Sequence, residues 1–114
     1  MKYMFMLYGD EATCEMPPRL SEERSAEWTQ FHQLAETSDK LISWHAHVPT
    51  DSARTVKLQS GSLVNTDGPH AETKEQLGGT YIPEFTDLDE AMSFASKMPC
   101  AIHGSVEVRQ MLGE

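Results

Sequence analysis

Apolar and aromatic side chains occupy almost every position of residues 2–8, so both faces of a strand formed there would be apolar. A strand buried on both faces gives this pattern, and the segment is therefore predicted to be a central strand of its sheet. Residues 9–19 are richer in charge and end in Pro17-Pro18, which predicts a loop. The two faces of the first strand would carry Tyr3, Phe5 and Leu7 on one side and Met4, Met6 and Tyr8 on the other.

Two later segments have the periodicity of amphipathic helices. Ser21 is a predicted N-cap followed by acidic residues, and Asp87 with Glu90 three positions on resembles a capping box. Pro99 is expected to end the second helix. The predicted buried stripes are Trp28, Phe31, Leu34 and Ala35 in the first helix, and Leu88, Ala91, Met92, Ala95 and Met98 in the second.

The remaining apolar segments have the alternation of strands. Residues 41–48 predict a half-buried strand whose polar face carries Ser43, His45 and His47. Residues 54–58 and 62–66 predict a hairpin across Gln59-Ser60-Gly61. Residues 80–85 predict a further strand, which Pro83 moves toward a sheet edge or a bulge, and Gly104 opens a last strand.

This order of elements predicts an α+β sandwich in one domain, residues 1–114, with both helices on one face of the sheet. Helices on one face would leave the second apolar face of the first strand uncovered. We expect a second sheet to cover it, most simply that of an identical subunit in a two-fold homodimer.

Charge and cysteine content narrow the functional classes. The chain has 9 Lys and Arg against 18 Asp and Glu, a net charge of −9, which disfavours nucleic-acid and anionic-membrane partners. The apolar start is too short for a signal core or a membrane span, so a cytoplasmic location is expected. Cys14 and Cys100 are expected to be reduced thiols. No phosphate loop, nucleophile elbow or zinc spacing occurs, and we expect no cofactor.

Residues 66–79 concentrate polar chemistry between two apolar segments. Asp67-Gly68-Pro69 is a turn signal, and Asp67 could cap a short helical turn that begins near Pro69. Gly78-Gly79 would let the backbone pass close to another segment. The loop also carries His70, Glu72 and Lys74, and polar loops held between strands are common functional sites.

Several motifs together resemble the YCII-related proteins of the DGPF-domain branch, over essentially the whole chain. They are Tyr8-Gly9-Asp10-Glu11, residues 66–79, residues 87–91 and residues 104–109. The branch is named after an Asp-Gly-Pro-Phe motif, and this chain has His70 at the position of the Phe. The resemblance implies a ferredoxin-like fold that dimerises into an α/β barrel. Many proteins of this branch are encoded beside sigma factors. Broader relatives include muconolactone isomerases and dehalogenating lyases, for which a His–Asp pair is the proposed acid/base unit.

An enzyme hypothesis therefore places Asp67 beside one of the imidazoles of His45, His47 and His70, where the carboxylate would orient the ring for proton transfer. Under this hypothesis the protein would be a small lyase or isomerase that acts on an organic acid or lactone. The candidate substrate-binding residues are Tyr8, Asp10 and Glu72, with Lys74 and Arg109 holding a substrate carboxylate.

Other interpretations of the same residues stay open. Asp67 could serve only as a cap, and the histidines of the predicted strand could lie on a solvated face. His32, His70 and His103 are expected at the surface. His45-x-His47 is half of a metal site, and without clear partners we assign no metal. The rival function is a non-catalytic ligand-binding or protein-interaction module, accessory to sigma-factor regulation.

Overall fold

The computed structural model describes residues 1–13, 21–71 and 73–113. Single 3₁₀ turns occur at Glu11–Thr13 and Thr50–Ser52. The strands and helices are β1 (Tyr3–Gly9), α1 (Glu22–Thr37), β2 (Leu41–Ala46), β3 (Arg54–Gln59), β4 (Ser62–Asp67), β5 (Gln76–Pro83), α2 (Leu88–Ala95), α3 (Pro99–His103) and β6 (Ser105–Gln110).

Four strands form one antiparallel sheet in the order β2-β5-β1-β6. Each helical crossover joins two strands that have another strand between them, so the chain contains two split β–α–β units. The α+β class is confirmed, and β1 lies inside the sheet as its doubly apolar sequence predicts. Strands β3 and β4 form a separate two-stranded sheet.

The helices cover one face of the four-stranded sheet. Tyr3, Phe5 and Leu7 of β1 are buried on that face with Trp28 and Phe31 of α1. The rest of the buried core is Ala35, Tyr81, Phe85, Ala91, Ala95, Met98 and Cys100. On the other face, which we call the open face, Met4, Met6 and Tyr8 are only half-buried. The open face has no helix against it in the described part of the chain.

Both predicted helix N-caps are confirmed. Ser21 Oγ accepts a hydrogen bond from the Arg24 amide at 3.3 Å, and Asp87 Oδ1 accepts one from the Glu90 amide at 2.9 Å. The hydroxyl of Thr86 donates to the Glu90 carboxylate and lowers its pKa.

Parts of the predicted buried stripes are wrong, because Leu34, Leu88 and Met92 are exposed. Each helix covers only a narrow strip of the sheet, and the buried alanines in these strips are Ala35, Ala91 and Ala95. The second helix also ends earlier than predicted. It stops at Ala95, and Pro99 begins α3 as its first residue, where its missing N–H costs nothing.

The hairpin prediction is confirmed, with each strand one residue longer. Ser60 and Gly61 form its two-residue turn with φ of 51° and 80°, the conformation of a type I′ turn. Pro83 lies on the inner strand β5, so its expected edge position is wrong. The expected irregularity does occur opposite it, where β2 shifts register between Leu41 and Ser43.

Cys100 is a free, buried thiol, and burial raises its pKa to about 12. Cys14 lies outside the described residues. None of the described helices is both long enough and apolar enough to span a membrane.

Gly104, between α3 and β6, is a position that admits no side chain. A Cβ there would lie 2.1 Å from the Tyr8 carbonyl oxygen and 3.2 Å from Gly9 Cα, both backbone atoms of β1. Gly104→Ala should therefore lower the free energy of unfolding by about 3 kcal/mol, measured by urea denaturation.

Gly61→Ala is the matched control, because it has open space and only an unfavourable positive φ. That substitution should cost about 1 kcal/mol. Equal losses in the two variants would contradict the close contact at Gly104.

Candidate aromatic pocket

A small pocket lies between α1 and the β2–β5 edge of the sheet. It encloses about 20 Å³, room for about one water molecule. Its walls are mainly apolar and aromatic, and the backbone of Gly78 and Gly79 forms part of one side. A Cβ at Gly79 would lie 3.0 Å from the His45 carbonyl oxygen, so the strands approach closely there. The lining residues are Leu7, Trp28, His32, Trp44, His45, Ala46, Gly78, Gly79 and Tyr81.

His32 and Tyr81 form a hydrogen-bonded pair in this pocket. The Tyr81 hydroxyl lies 2.5 Å from His32 Nδ1, and the two rings are stacked at 5.7 Å between centroids. Burial lowers the pKa of His32, against the opposing effect of Glu36, and burial raises the pKa of Tyr81. The pair is thus a neutral imidazole and a neutral phenol at neutral pH, one able to take a proton and the other to donate one.

Trp28 supplies an unused hydrogen-bond donor. Its side chain is buried, with 4% exposed, and its Nε1–H has no hydrogen-bond partner among the described residues. A buried donor without an acceptor costs free energy, so such atoms are uncommon in folded proteins. Trp44 forms the outer wall, with its ring centroid 4.5 Å from that of His32. Trp44 is 44% exposed, and its ring is stacked on that of Tyr81 at 6.0 Å between centroids.

The pocket differs from the site that the sequence predicts. His32 was expected at the surface, and that expectation is wrong: it is half-buried against Tyr81. The signal was present in the spacing, because Trp28, Phe31, His32 and Ala35 follow the i, i+3, i+4, i+7 pattern of a buried helix face. The burial of His32 is missed when only apolar residues are used to identify the buried face of the helix, because histidine is not counted as apolar.

Asp67 lies at the base of the hairpin, away from the pocket. Its side chain is 86% exposed and pairs with Arg54 at 3.3 Å between Nη1 and Oδ1. Among the described residues no hydrogen bond joins it to His45, His47 or His70, all of which are exposed. The helical turn expected near Pro69 is absent from the described residues of this loop, and β4 ends at Asp67 itself.

The loop around Asp67 is nevertheless well held. The Gly68 amide donates to the Ala53 carbonyl at 2.7 Å, and the Thr55 hydroxyl donates to the Gly68 carbonyl at 2.9 Å. A second, open hollow lies beside this loop, and His47, Pro69 and Leu77 are among the residues that line it. Glu11 closes one end by accepting hydrogen bonds from the Thr50 amide and hydroxyl.

The predicted substrate-binding residues are divided between two regions. Tyr8 and Arg109 share the open face, where Arg109 pairs with the carboxylate of Glu107. Asp10 accepts a hydrogen bond from the Ala12 amide at 2.9 Å and so orders the turn after β1. Lys74 is exposed on the loop, and Glu72 lies outside the described residues.

His45 pairs with Thr80, which pairs with Met6, so its side chain also shares the open face. The described residues contain no group of three or more His, Cys, Asp and Glu side chains placed to hold a metal ion. Within this part of the chain, His45 and His47 therefore have no third ligand.

Comparison with known proteins identifies the family. The YCII-related domain matches residues 1–113. A protein of Rhizobium meliloti (strain 1021), named Uncharacterized protein R00369, is 34% identical over 114 residues, covering 97% of this chain and 92% of that protein. The chain belongs to the YCII-related family.

Replacing Asp67 tests whether it has a structural role. Because its ion pair with Arg54 is exposed on both sides, Asp67→Asn should change the free energy of unfolding by no more than about 0.5 kcal/mol. Urea denaturation measures this directly, with Arg54→Gln as the control for the other partner. A much larger loss would instead make Asp67 a structural cap.

The lowered pKa of His32 predicts how stability depends on pH. The unfolded chain binds a proton at His32 more readily than the folded protein, so this contribution is present above the ordinary pKa, about 6.5. It is lost as the pH falls below that value. Wild type should therefore lose more stability between pH 7.5 and 5.5 than His32→Gln, measured by urea denaturation at both pH values. Identical losses would contradict a buried, neutral His32.

Proposed function

We propose that the protein binds a small, flat carbonyl compound, such as a lactone, in the aromatic pocket. The observation that carries the proposal is the buried Nε1–H of Trp28, which has no acceptor among the described residues and belongs to a side chain that lines the aromatic pocket. Small-molecule sites are typically apolar cavities with a few polar groups that orient the ligand. A ligand oxygen that accepts from Trp28 would remove the cost of leaving this donor unpaired.

The lining favours a neutral ligand over a carboxylate. No Lys or Arg is among the described residues that line the pocket, and His32 is neutral because burial lowers its pKa. A buried carboxylate would have no opposite charge beside it, which is costly. Trp44 would swing outward to admit a ring, since the closed pocket holds about one water molecule.

Proton transfer in the same pocket is the catalytic form of this proposal. The His32–Tyr81 hydrogen bond favours it when Nδ1–H of His32 donates to the Tyr81 oxygen. In that tautomer Nε2 is free to remove a proton next to the ligand carbonyl, and the Tyr81 O–H is free to donate a proton to another carbon of the substrate. A proton passed from the resulting imidazolium to the phenolate then restores both neutral groups. Trp28 would then stabilise the negative charge that develops on the carbonyl oxygen. This is the lyase or isomerase chemistry expected from the sequence, with His32 as the base.

A second catalytic candidate keeps the residues that the sequence points to. The open hollow beside the Asp67 loop is lined by both His47 and Pro69, which favours a site there. Asp67 would have to leave Arg54 and approach His47, His45 or His70, with Lys74, Glu72, Tyr8 or Asp10 binding the substrate. Ligand binding that is abolished by Asp67→Asn and unaffected by Trp28→Phe would support this site over the aromatic pocket.

We further propose that the protein is a cytoplasmic homodimer with a ferredoxin-like fold, of the DGPF branch. A second copy would cover the open face, whose half-buried apolar side chains have no helix against them. Closure of two such sheets into an α/β barrel is the arrangement that the family resemblance implies. The free, buried thiol of Cys100 is consistent with a reducing compartment.

Nitrogen-15 NMR of the indole groups tests the pocket, because both tryptophans of the chain line it. Titration with γ-butyrolactone should move the Trp28 Nε1–H proton downfield in a saturable manner. Trp28→Phe keeps an aromatic ring and removes the donor, so the dissociation constant should rise about fivefold, corresponding to a hydrogen bond of about 1 kcal/mol.

Trp44→Phe serves as the control, since it removes an indole that makes no such hydrogen bond, and it also assigns the two signals. Unchanged indole signals at the highest lactone concentration would overturn the proposal. For the catalytic form, α-angelica lactone in D₂O should exchange its ring protons in wild type and not in His32→Gln.

A further inference from the structure

The β3–β4 hairpin, which we call the arm, has an apolar face that its own chain leaves uncovered. In its register Leu58 lies opposite Leu63 and Val56 opposite Asn65, so Val56, Leu58 and Leu63 share one face. Their exposed fractions are 62%, 71% and 65%. Three large apolar side chains on one exposed face indicate an interaction surface and not isolated surface residues.

The arm also lacks support within its own chain. It forms a two-stranded sheet by itself, and such hairpins are at best marginally stable in water unless another element packs on them. The radius of gyration of the chain is 15.6 Å, against about 13 Å for a compact domain of this length. The chain is therefore extended, as expected if part of it packs outside the domain.

A complementary hollow lies on the open face. It has a volume of about 290 Å³ and lies between the start of β1 and the residues after β6. The amide of Met111 donates to the Lys2 carbonyl at 2.9 Å and holds these last residues beside β1. The hollow is lined by Met4, Met6, Arg109, Gln110, Met111 and Leu112, of which four are apolar.

Arm and hollow lie toward opposite ends of the sheet. The Thr50–Glu11 hydrogen bonds place the base of the arm where β1 ends, whereas the hollow lies where β1 begins. A two-fold axis between two copies would bring the arm of each to the hollow of the other. The two contacts are then equivalent and the assembly is closed.

Charge favours contact between an arm and the body of a second copy over contact between two arms. The arm carries Arg54 and Lys57 against Asp67, in a chain with 9 basic and 18 acidic residues. The arm is thus slightly basic, and the rest of the chain is strongly acidic. Opposite net charges attract an arm to the body of a second copy, whereas two arms carry net charge of the same sign. The charged residue that lines the hollow is Arg109, and its charge is paired with that of Glu107.

We propose that the arm of one copy packs the side chains of Val56, Leu58 and Leu63 into the Met4–Met111 hollow of a second copy. This inference rests on the proposed homodimer and assigns the segment that completes its interface. Methionine side chains suit this role because they are flexible and adapt to the shape of the inserted side chains.

Crosslinking tests which surfaces meet. Two tagged variants, Leu58→Cys and Met111→Cys, each also carrying Cys14→Ser, would be co-expressed and treated with a short bis-maleimide. Cys100 can stay, because it is buried and its pKa is about 12. The expected product is a crosslinked dimer that carries both tags. Dimers of Leu58→Cys crosslinked to itself, without the mixed product, would show that two arms pair and would overturn the inference.

Sedimentation equilibrium separates this inference from the dimer proposal. Replacing Val56, Leu58 and Leu63 together with Thr keeps strand propensity and should weaken dimerisation about 100-fold, consistent with loss of central apolar contacts. Val64→Thr, on the other face of the arm, is the control and should leave dimerisation unchanged. A triple variant that dimerises like wild type overturns the role of the arm alone. A wild-type chain that is monomeric at all concentrations overturns both proposals.

Discussion

Tyr3, Phe5 and Leu7 of the inner strand β1 pack against Trp28 and Phe31 of α1, and the other elements are placed by this contact. It fixes α1 across β1 and β5 and brings Tyr81 under the helix, where its ring meets those of Phe31 and Trp28. The three described helices α1, α2 and α3 all lie on that face of the sheet. As a consequence, the open face and the separate hairpin have no helix packed against them in the described part of the chain.

The same contact produces the pocket. Trp28 meets Phe31 edge to face, with an angle of 88° between the ring planes, and the Trp28 ring also lines the pocket together with Tyr81. Polar atoms at the rim of these rings, the Trp28 indole N–H, the His32 imidazole and the Tyr81 hydroxyl, are therefore drawn into the edge of the core. A core built of aliphatic residues would have had no such groups to offer a ligand.

Patterns of local origin were predictable from the sequence. The caps at Ser21 and Asp87, the type I′ turn at Ser60-Gly61 and the inner position of β1 depend on neighbouring residues or on strand periodicity, and all are found. The separation of Asp67 from the histidines was not predictable, because a motif that is compact in sequence says nothing about where its hairpin projects. The buried position of His32 could be read from the helical spacing, but its hydrogen-bond partner Tyr81, 49 residues away, could not.

The buried thiol of Cys100 has a use as a reporter of motion. At neutral pH almost none of it is ionised, since its pKa is about 12, and only the thiolate reacts with alkylating reagents. Labelling therefore requires that α3 first separate from the sheet and expose the sulfur to water. The rate at which Cys100 is alkylated thus measures how often this part of the core opens, a local stability that unfolding curves of the whole chain average away.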